Sequence, residues 1–168
     1  MELEITAARS PEDFDAAIAL LQSRDDNHHP LDPEQLRRAR LLLLARQQGQ
    51  LLGCAAIKAG TGEVGELGYL MVAPGSRRSG IAKSLTQARM AAAREMGLSL
   101  LFATVRAENS ASRDNLLRAG WQFFGDYLSI RGTGNRIGWY FFPLKADIDA
   151  LALMQQQVGD RVRLCNPE

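Results

Sequence analysis

The sequence predicts an α/β fold, because strand-like and helix-like patterns alternate along a chain of 168 residues. Residues 67–72 form an apolar run that is typical of a strand, and residues 98–106 form a second one. Residues 81–96 repeat apolar side chains at three- and four-residue steps, which is typical of a helix. No repeat, low-complexity tract or linker interrupts the chain, so residues 1–168 are predicted to form one domain with a buried core.

The other elements each have a local signal. Ser10 is a typical helix N-cap, with Pro11 at the first helical position and Asp13 in an acidic first turn. Gly120 is typical of a helix C-terminus. Strand patterns occur over residues 3–8, 41–46, 51–58, 66–72, 98–106, 121–130 and 137–144. Helix patterns occur over residues 11–24, 32–40, 80–96, 110–119 and 147–158. A turn is predicted at residues 132–134 and a polar tail after residue 158.

Composition and charge exclude several classes of function. Apolar residues make up 46% and charged residues 23%, and the net charge of +1 provides no basic field for nucleic acid. The longest apolar run, residues 41–45, is too short to span a bilayer, and residues 1–4 lack the basic start of a signal peptide. Cys54 and Cys165 predict neither a disulfide framework nor a metal cluster. The chain is therefore predicted to be cytoplasmic, without nucleic-acid or membrane partners.

The loop at residues 73–79 leads into the helix pattern that begins at Gly80. The first backbone N–H groups of a helix lack partners and lie at the positive end of its dipole, so they bind anions. Gly80 allows a ligand close to the backbone, and Arg77 and Arg78 add positive charge. The loop is thus either a phosphate-binding loop or an ordinary strand–turn–helix connection. The predicted buried face of the helix contains Ile81, Leu85, Ala88, Ala92 and Met96, whereas Lys83, Arg89 and Arg94 are predicted to lie in solvent.

Three other patterns predict no site of their own. Residues 60–65 match Gly-x-Gly-x-x-Gly, but a strand follows where a dinucleotide-binding helix should begin, so a hairpin turn is favoured. Residues 75–84 resemble a Walker A loop, but Lys83 lies two positions too late for it. His28 and His29 have no further metal-ligand residues at the right spacing, so we interpret them as exposed loop residues and predict no metal.

Two segments resemble the signatures of the GNAT superfamily of acyl-CoA-dependent N-acetyltransferases. The first resembles the Arg/Gln-x-x-Gly-x-Gly/Ala motif, and its residues are Arg77, Arg78, Ser79, Gly80, Ile81 and Ala82. The second spans residues 109–121 and resembles the Asn-x-x-Ala/Ser … Gly-aromatic segment. The resemblance implies a mixed, mostly antiparallel central sheet of about seven strands with helices on both faces. It covers residues 42–144, which leaves a C-terminal helix and tail over residues 145–168.

The resemblance also implies acetyl-CoA as co-substrate and assigns residues to it. Residues 77–82 would surround the pyrophosphate with backbone N–H groups. The backbone of Met71 and Val72 would pair with the pantetheine arm, and the amide near Val72 would polarise the thioester carbonyl. Asn109 and Ser112 of the second motif are also assigned to the cofactor. Asn109 has an alternative interpretation as the N-terminal residue of the following helix, and both roles are compatible.

Glu66 is the candidate general base. It lies six residues before Val72, at the position of the general-base glutamate in some members of the family. Alternation along a regular strand predicts that Glu66, Gly68, Leu70 and Val72 share one face. A partly buried glutamate can relay a proton through water. The alternative is a solvated residue that merely begins the strand.

The general acid is a departure from the family pattern. Many members have a tyrosine seven residues after the asparagine, where this sequence has Leu116. The CoA thiolate would then leave without an acid, which a thiol with a pKa of about 8.5 tolerates, or another tyrosine would protonate it. Tyr127 and Tyr140 are the candidates, and both also fit a role in the core.

The leading hypothesis is an N-acetyltransferase that moves the acetyl group to a primary amine of a small molecule or peptide, by direct attack in a ternary complex. An alternative is an acyl-CoA-binding sensor or regulatory module without turnover. A third hypothesis assigns assembly to the C-terminal helix around Ile148, Leu151 and Met154, with the chain a monomer or homodimer. The amine acceptor and the length of the acyl chain stay open at this point.

Overall fold

The structure is a computed structural model that describes residues 2–23, 31–129 and 134–164. Its contacts group the chain into two compact units, residues 1–97 and residues 98–168. The described residues form eight strands and five α-helices, one strand more than the sequence predicts. His28, His29, Thr133 and Cys165 lie outside the described residues, so the predictions made for them have no counterpart here.

Unit 1 is an antiparallel sheet with helices on both faces. Its strands are β1 (Glu4–Ala7), β2 (Leu41–Gln47), β3 (Gln50–Ile57) and β4 (Val64–Val72), paired in that order. Its helices are α1 (Pro11–Gln22), α2 (Pro33–Arg37) and α3 (Ile81–Glu95), with a short 3-10 turn at Pro74–Ser76. The predicted start of α1 is confirmed, since the Ser10 hydroxyl oxygen accepts from the Asp13 N–H and the Asp13 carboxylate accepts from the Ser10 N–H.

Alternation along the central strands divides the unit 1 core into two apolar layers. On β2, Leu42 and Leu44 face one layer and Leu43 and Ala45 face the other. The layer under α1 and α2 contains Ala17, Ile18, Leu21, Leu36, Leu42, Leu44, Cys54, Ala56 and Met71. The layer under α3 contains Leu43, Ala45, Leu52, Ala55, Ile81 and Leu85. A strand with both faces covered requires apolar residues throughout, which accounts for the continuous run in β2.

Strand β4 contains a β-bulge near its end. Met71 pairs with Cys54 and Gly68 pairs with Ala56, so three steps on β4 oppose two steps on β3. Tyr69 has a φ of 57°, a left-handed conformation that is unusual for a residue with a side chain. The extra residue reverses the alternation beyond it.

Helix α3 differs from its predicted buried face from Ala88 onward, because Ala88 and Ala92 are only half-buried and Ala93, which the sequence pattern did not mark, is fully buried. Arg89, which the sequence places in solvent, is only 4% exposed, whereas Met96 lies just past the helix and is 41% exposed. The buried stripe is Ile81, Leu85, Arg89 and Ala93, at strict four-residue intervals. The prediction for Arg89 is wrong because we assigned it by charge, although its position on the helix is that of a core residue.

Unit 2 contributes four further strands, which pair antiparallel with one another. Its strands are β5 (Leu100–Arg106), β6 (Gln122–Leu128), β7 (Arg136–Pro143) and β8 (Arg163–Leu164), and its helices are α4 (Ser110–Arg118) and α5 (Ala150–Val158). Strand β7 pairs with β5 and β6, and β6 also pairs with β8. Strand β8 lies in the stretch predicted to be a polar tail. Its two residues join the sheet through the backbone, which a side-chain pattern does not reveal.

The two faces of the unit 2 sheet have different aromatic partners. The Trp139 ring stacks on Phe102 at 5.2 Å, and Tyr127 meets Trp139 edge-on at 6.1 Å. The next residue on β7, Tyr140, faces the other way and packs against Phe123 at 5.3 Å. Tyr127 and Tyr140 therefore lie on opposite faces.

Helix α5 packs into the unit 2 core. Met154 and Val158 are fully buried, and Arg161 lies over the Trp139 ring at 5.0 Å. Met154 is thus unavailable for the assembly role that one hypothesis gave it, whereas Leu151 is 61% exposed. In the part of the chain that the structure describes, no helix is long and apolar enough to cross a membrane.

Candidate active site

The connection from β4 to α3 leaves the start of α3 open. Strand β4 ends at Val72, the 3-10 turn follows, and Gly80 occupies the N-cap position with a φ of 84°. This left-handed conformation suits glycine, and a Cβ placed there would meet no atom of the described residues within 4 Å. Among the residues that the structure describes, no side chain caps the helix, so the first backbone N–H groups of α3 remain available to an external acceptor.

Side chains in the same connection stabilise the loop and supply positive charge. Arg77 Nε donates to the Val72 carbonyl at 3.4 Å, and the Ser79 hydroxyl donates to the Ser76 carbonyl. Arg78 has a φ of 67° and an exposed side chain. Open N–H groups, an N-terminal helix dipole and two exposed guanidinium groups together fit a diphosphate. The residues predicted to bind the pyrophosphate are thus arranged in a way that suits it.

Glu66 forms an ion pair with Lys58, the residue that directly follows β3. Lys58 Nζ donates to Glu66 Oε2 at 3.2 Å, and both side chains are partly exposed. The Lys58 stem crosses over Gly68, where an added Cβ would lie only 2.5 Å from Lys58 Cε. Lys58 Nζ also lies 5.7 Å from the centre of the Tyr69 ring. Gly68 therefore leaves the space along which the Lys58 side chain runs toward Glu66.

The prediction that Glu66 shares a face with Val72 is wrong. Glu66 lies with Lys58 and Gly68 on the side of the sheet covered by α1, because the ladder partner of Gly68, Ala56, belongs to the apolar layer under α1. Val72 packs in the layer under α3. The physical reason is the bulge at Tyr69, which breaks the strict alternation.

In unit 2, Asn109 caps helix α4. Its Oδ1 accepts from the Ser112 N–H at 3.3 Å, which confirms the helix N-terminal role. Asn109 is exposed and Ser112 is half-buried, and their assignment to the cofactor stays a prediction. Leu116, at the usual tyrosine position, is half-buried on the same helix.

The two candidate tyrosines have different surroundings. Tyr127 packs among apolar rings, parallel to Phe124 at 6.2 Å and edge-on to Trp139. Burial raises the pKa of Tyr140, while Arg113 of α4 lowers it and Asp126 raises it further. Asp126 is the ladder partner of Gly138. A Cβ added at Gly138 would lie 3.3 Å from the Asp126 carboxylate and 3.4 Å from the Tyr140 hydroxyl, so both polar groups lie beside this glycine. Tyr140 thus has polar neighbours and stays protonated at neutral pH.

Sequence reasoning missed Lys58 and Arg89. Lys58 directly follows the buried strand β3, and a prediction of the register between β3 and β4 would have placed it beside Glu66. Arg89 was identifiable from its four-residue spacing to Leu85 and Ala93. Among the described residues, no group of three or more His, Cys, Asp or Glu side chains is arranged to hold a metal ion.

Comparison with known proteins places the chain in a family. Residues 8–121 match the profile of the Acetyltransferase (GNAT) family, which is more than half of the chain. No curated protein matches the chain in sequence.

Solved structures share the fold at low sequence identity. A GNAT-family protein from Desulfovibrio desulfuricans is 18% identical with a TM-score of 0.74, over 86% of this chain and 100% of that one. The ribosomal-protein-S18-alanine N-acetyltransferase of Escherichia coli is 18% identical with a TM-score of 0.71, over 88% and 97%. The yncA protein of Salmonella typhimurium, solved with acetyl-CoA, is 15% identical with a TM-score of 0.70, over 88% and 97%.

Proposed function

Because the chain belongs to the Acetyltransferase (GNAT) family, we propose that it is an N-acetyltransferase that acetylates a primary amine by direct attack in a ternary complex. Membership of the family makes it an acetyltransferase that uses acetyl-CoA, and the predicted mostly antiparallel α/β fold is confirmed. The amine acceptor class and the direct mechanism are the proposal. The observation that carries it is the Glu66 carboxylate, partly exposed on β4 a few residues before the bulge.

The donor side of the proposal uses the β4–α3 connection. The backbone N–H groups that follow Gly80, with Arg77 and Arg78, would hold the diphosphate of acetyl-CoA. The end of β4 at Met71 and Val72 would hold the pantetheine arm through its backbone. When bound, acetyl-CoA supplies an activated thioester carbonyl.

The acceptor side uses Glu66 as the general base. An amine is protonated at neutral pH and attacks only after losing a proton, which the Glu66 carboxylate would accept directly or through one water. The C–N bond then forms, the attacking nitrogen gives up its second proton, the C–S bond breaks and the departing thiolate takes up one proton. Lys58 holds Glu66 Oε2 at 3.2 Å and so fixes the direction of the carboxylate. Tyr140 is our candidate for the group that protonates the thiolate.

Glu66→Gln tests the base directly. We expect turnover to fall by about 10²–10⁴-fold, the usual contribution of a general base. Thiol release from acetyl-CoA, followed across the pH range, measures it. Glu63→Gln is the matched control, because Glu63 is an exposed residue in the turn just before β4. Unchanged turnover of Glu66→Gln at every pH would remove Glu66 from the mechanism.

The acceptor panel follows from chemistry and from the relatives. The Escherichia coli relative is named for ribosomal protein S18 alanine, so a peptide with an N-terminal alanine is the first acceptor to test. An amino acid, a polyamine and an aminoglycoside complete the panel, and mass spectrometry identifies the acetylated product. Binding of acetyl-CoA with no acetylation of any amine would favour the sensor instead. The proposal holds for a monomer or a homodimer.

A further inference from the structure

Arg89 is a buried cation in the middle of α3. It is 4% exposed, and its Nη1 donates to the Ala56 carbonyl at 3.1 Å and the Gly68 carbonyl at 3.2 Å. Its Nε is buried and makes no hydrogen bond within the described residues. Nor does any carboxylate in the described part of the chain form a salt bridge with it.

Such a group is costly for the fold. Burial lowers the pKa of Arg89 to about 10, so it stays charged at neutral pH. A buried charge without a partner of opposite sign is destabilising, and a well-packed apolar side chain at the same position would cost less. The packing of α3 therefore does not explain an arginine here.

The two carbonyls that Arg89 binds are next to the bulge. Ala56 and Gly68 form the last ladder pair before Tyr69 interrupts the pairing of β3 and β4. A bulge leaves backbone groups without ladder partners, and a guanidinium is a rigid donor suited to holding two carbonyls at once. Arg89 thus connects α3 to β3 and β4 by hydrogen bonds directly beside the bulge.

The same helix begins at the candidate diphosphate loop. Gly80 is nine residues before Arg89, which corresponds to about 13 Å along a helix axis. A single rigid element thus connects the loop at its N-terminus with the bulge at its centre. Val72, the end of β4, packs against this helix in the layer that contains Ile81 and Leu85.

We propose that Arg89 is a positioning residue that holds the β4 bulge in register with the start of α3. By this role it keeps the end of β4 and the diphosphate loop at the spacing that one acetyl-CoA molecule requires. The inference deepens the proposed function and rests on it for its catalytic consequence. Its structural part, the restraint of the bulge, does not depend on turnover.

The main variant is Arg89→Met, which keeps a long side chain without donors. We expect the loop alone to be unaffected, so the Kd of 3′-phosphoadenosine 5′-diphosphate, which carries the diphosphate without the pantetheine arm, stays within about twofold when measured by calorimetry. The Kd of acetyl-CoA and kcat should each worsen by about 10- to 100-fold, because misplacement of about 1 Å has effects of that order. Arg89→Lys, which retains a donor and the charge, should recover part of kcat.

Arg94→Met is the matched control, since Arg94 is exposed on the same helix and should leave every value unchanged. Amide hydrogen exchange provides a readout independent of chemistry: exchange at Tyr69, Leu70 and Met71 should be at least about tenfold faster in Arg89→Met. Circular dichroism confirms folding. If Arg89→Met does not fold, Arg89→Gln replaces it under the same criteria.

The outcomes separate this inference from the proposed function. A folded variant with wild-type kcat and wild-type exchange at the bulge overturns the positioning role. Faster exchange with equal loss of 3′-phosphoadenosine 5′-diphosphate binding and acetyl-CoA binding also overturns it, because the effect would then be general loosening of α3. If the wild type acetylates no amine but amide exchange at residues 69–71 is still faster in the variant than in the wild type, the proposed function fails and the restraint of the bulge by Arg89 stands.

Discussion

Tyr69 illustrates how a single residue changes the geometry of a site. With a φ of 57° it adds one residue to β4 and reverses the face of every side chain after it. Glu66 consequently lies on the α1 side with Lys58, while Val72 packs under α3. The sequence predicts the strand from its apolar run, but an extra residue in a ladder depends on the partner strand and leaves no local pattern.

Tyr140 and Tyr127 offer a matched test at the residue scale. Tyr140 has polar neighbours and a raised pKa, and Tyr127 lies among apolar rings on the opposite face. We expect Tyr140→Phe to lower kcat by about tenfold or more, at the low end of general-acid effects because a thiolate leaves readily. Tyr127→Phe should leave kcat unchanged. Steady-state assays of both variants measure this, and equal kcat values would assign the thiolate proton to solvent.

At the scale of elements, the periodicity of α3 predicts its buried face, but a charged residue on that face is easily assigned to solvent. The four-residue spacing of Ile81 and Leu85 marks its buried face, and Arg89 continues that spacing. The helix boundaries follow from the same pattern to within a residue. The bond from Arg89 to two strand carbonyls could not be predicted, because it depends on the bulge.

Helix α5 provides a stability test at this scale. Met154 is fully buried and Leu151, three residues earlier, is 61% exposed. We expect Met154→Ala to lower the free energy of unfolding by about 2–5 kcal/mol through lost burial and a cavity. Leu151→Ala should change it by less than about 0.5 kcal/mol. Denaturant titration measures both, and tryptophan fluorescence is a suitable probe because both tryptophans, Trp121 and Trp139, lie in unit 2. Equal effects would mean that α5 is not part of the core.

At the scale of the whole molecule, local sequence signals predict most of the helices and strands. Features that depend on contacts between residues distant in sequence were missed. Caps such as Ser10 and apolar runs such as β2 act within a few residues, so the sequence shows them. Strand β8 consists of two residues that pair only through the backbone of β6. The Glu66–Lys58 pair requires the register of a hairpin. The sequence therefore predicts the part of the candidate site that lies in a single loop. It does not predict the contacts of the candidate site that depend on how two strands pair.

Gly80 and Gly49 allow the central claim, acetyl-CoA binding at the start of α3, to be tested with a control of the same geometry. Both have positive φ, 84° and 78°, and in the described part of the chain no atom lies within 4 Å of a Cβ added at either position. Gly80→Asp and Gly49→Asp therefore bring similar backbone strain, but only the first places a carboxylate at the candidate diphosphate loop. Gly49 lies in the turn between β2 and β3.

The decisive measurement is calorimetric titration with acetyl-CoA, using NAD and ATP as competing ligand classes. We predict binding of acetyl-CoA with a Kd on the order of micromolar, no comparable binding of NAD or ATP, and a Kd at least about tenfold weaker in Gly80→Asp than in Gly49→Asp. The opposite result is a folded wild-type protein that does not bind acetyl-CoA, or equal binding by the two variants. The first would contradict the assignment of acetyl-CoA to this chain, and the second would contradict its placement at the start of α3.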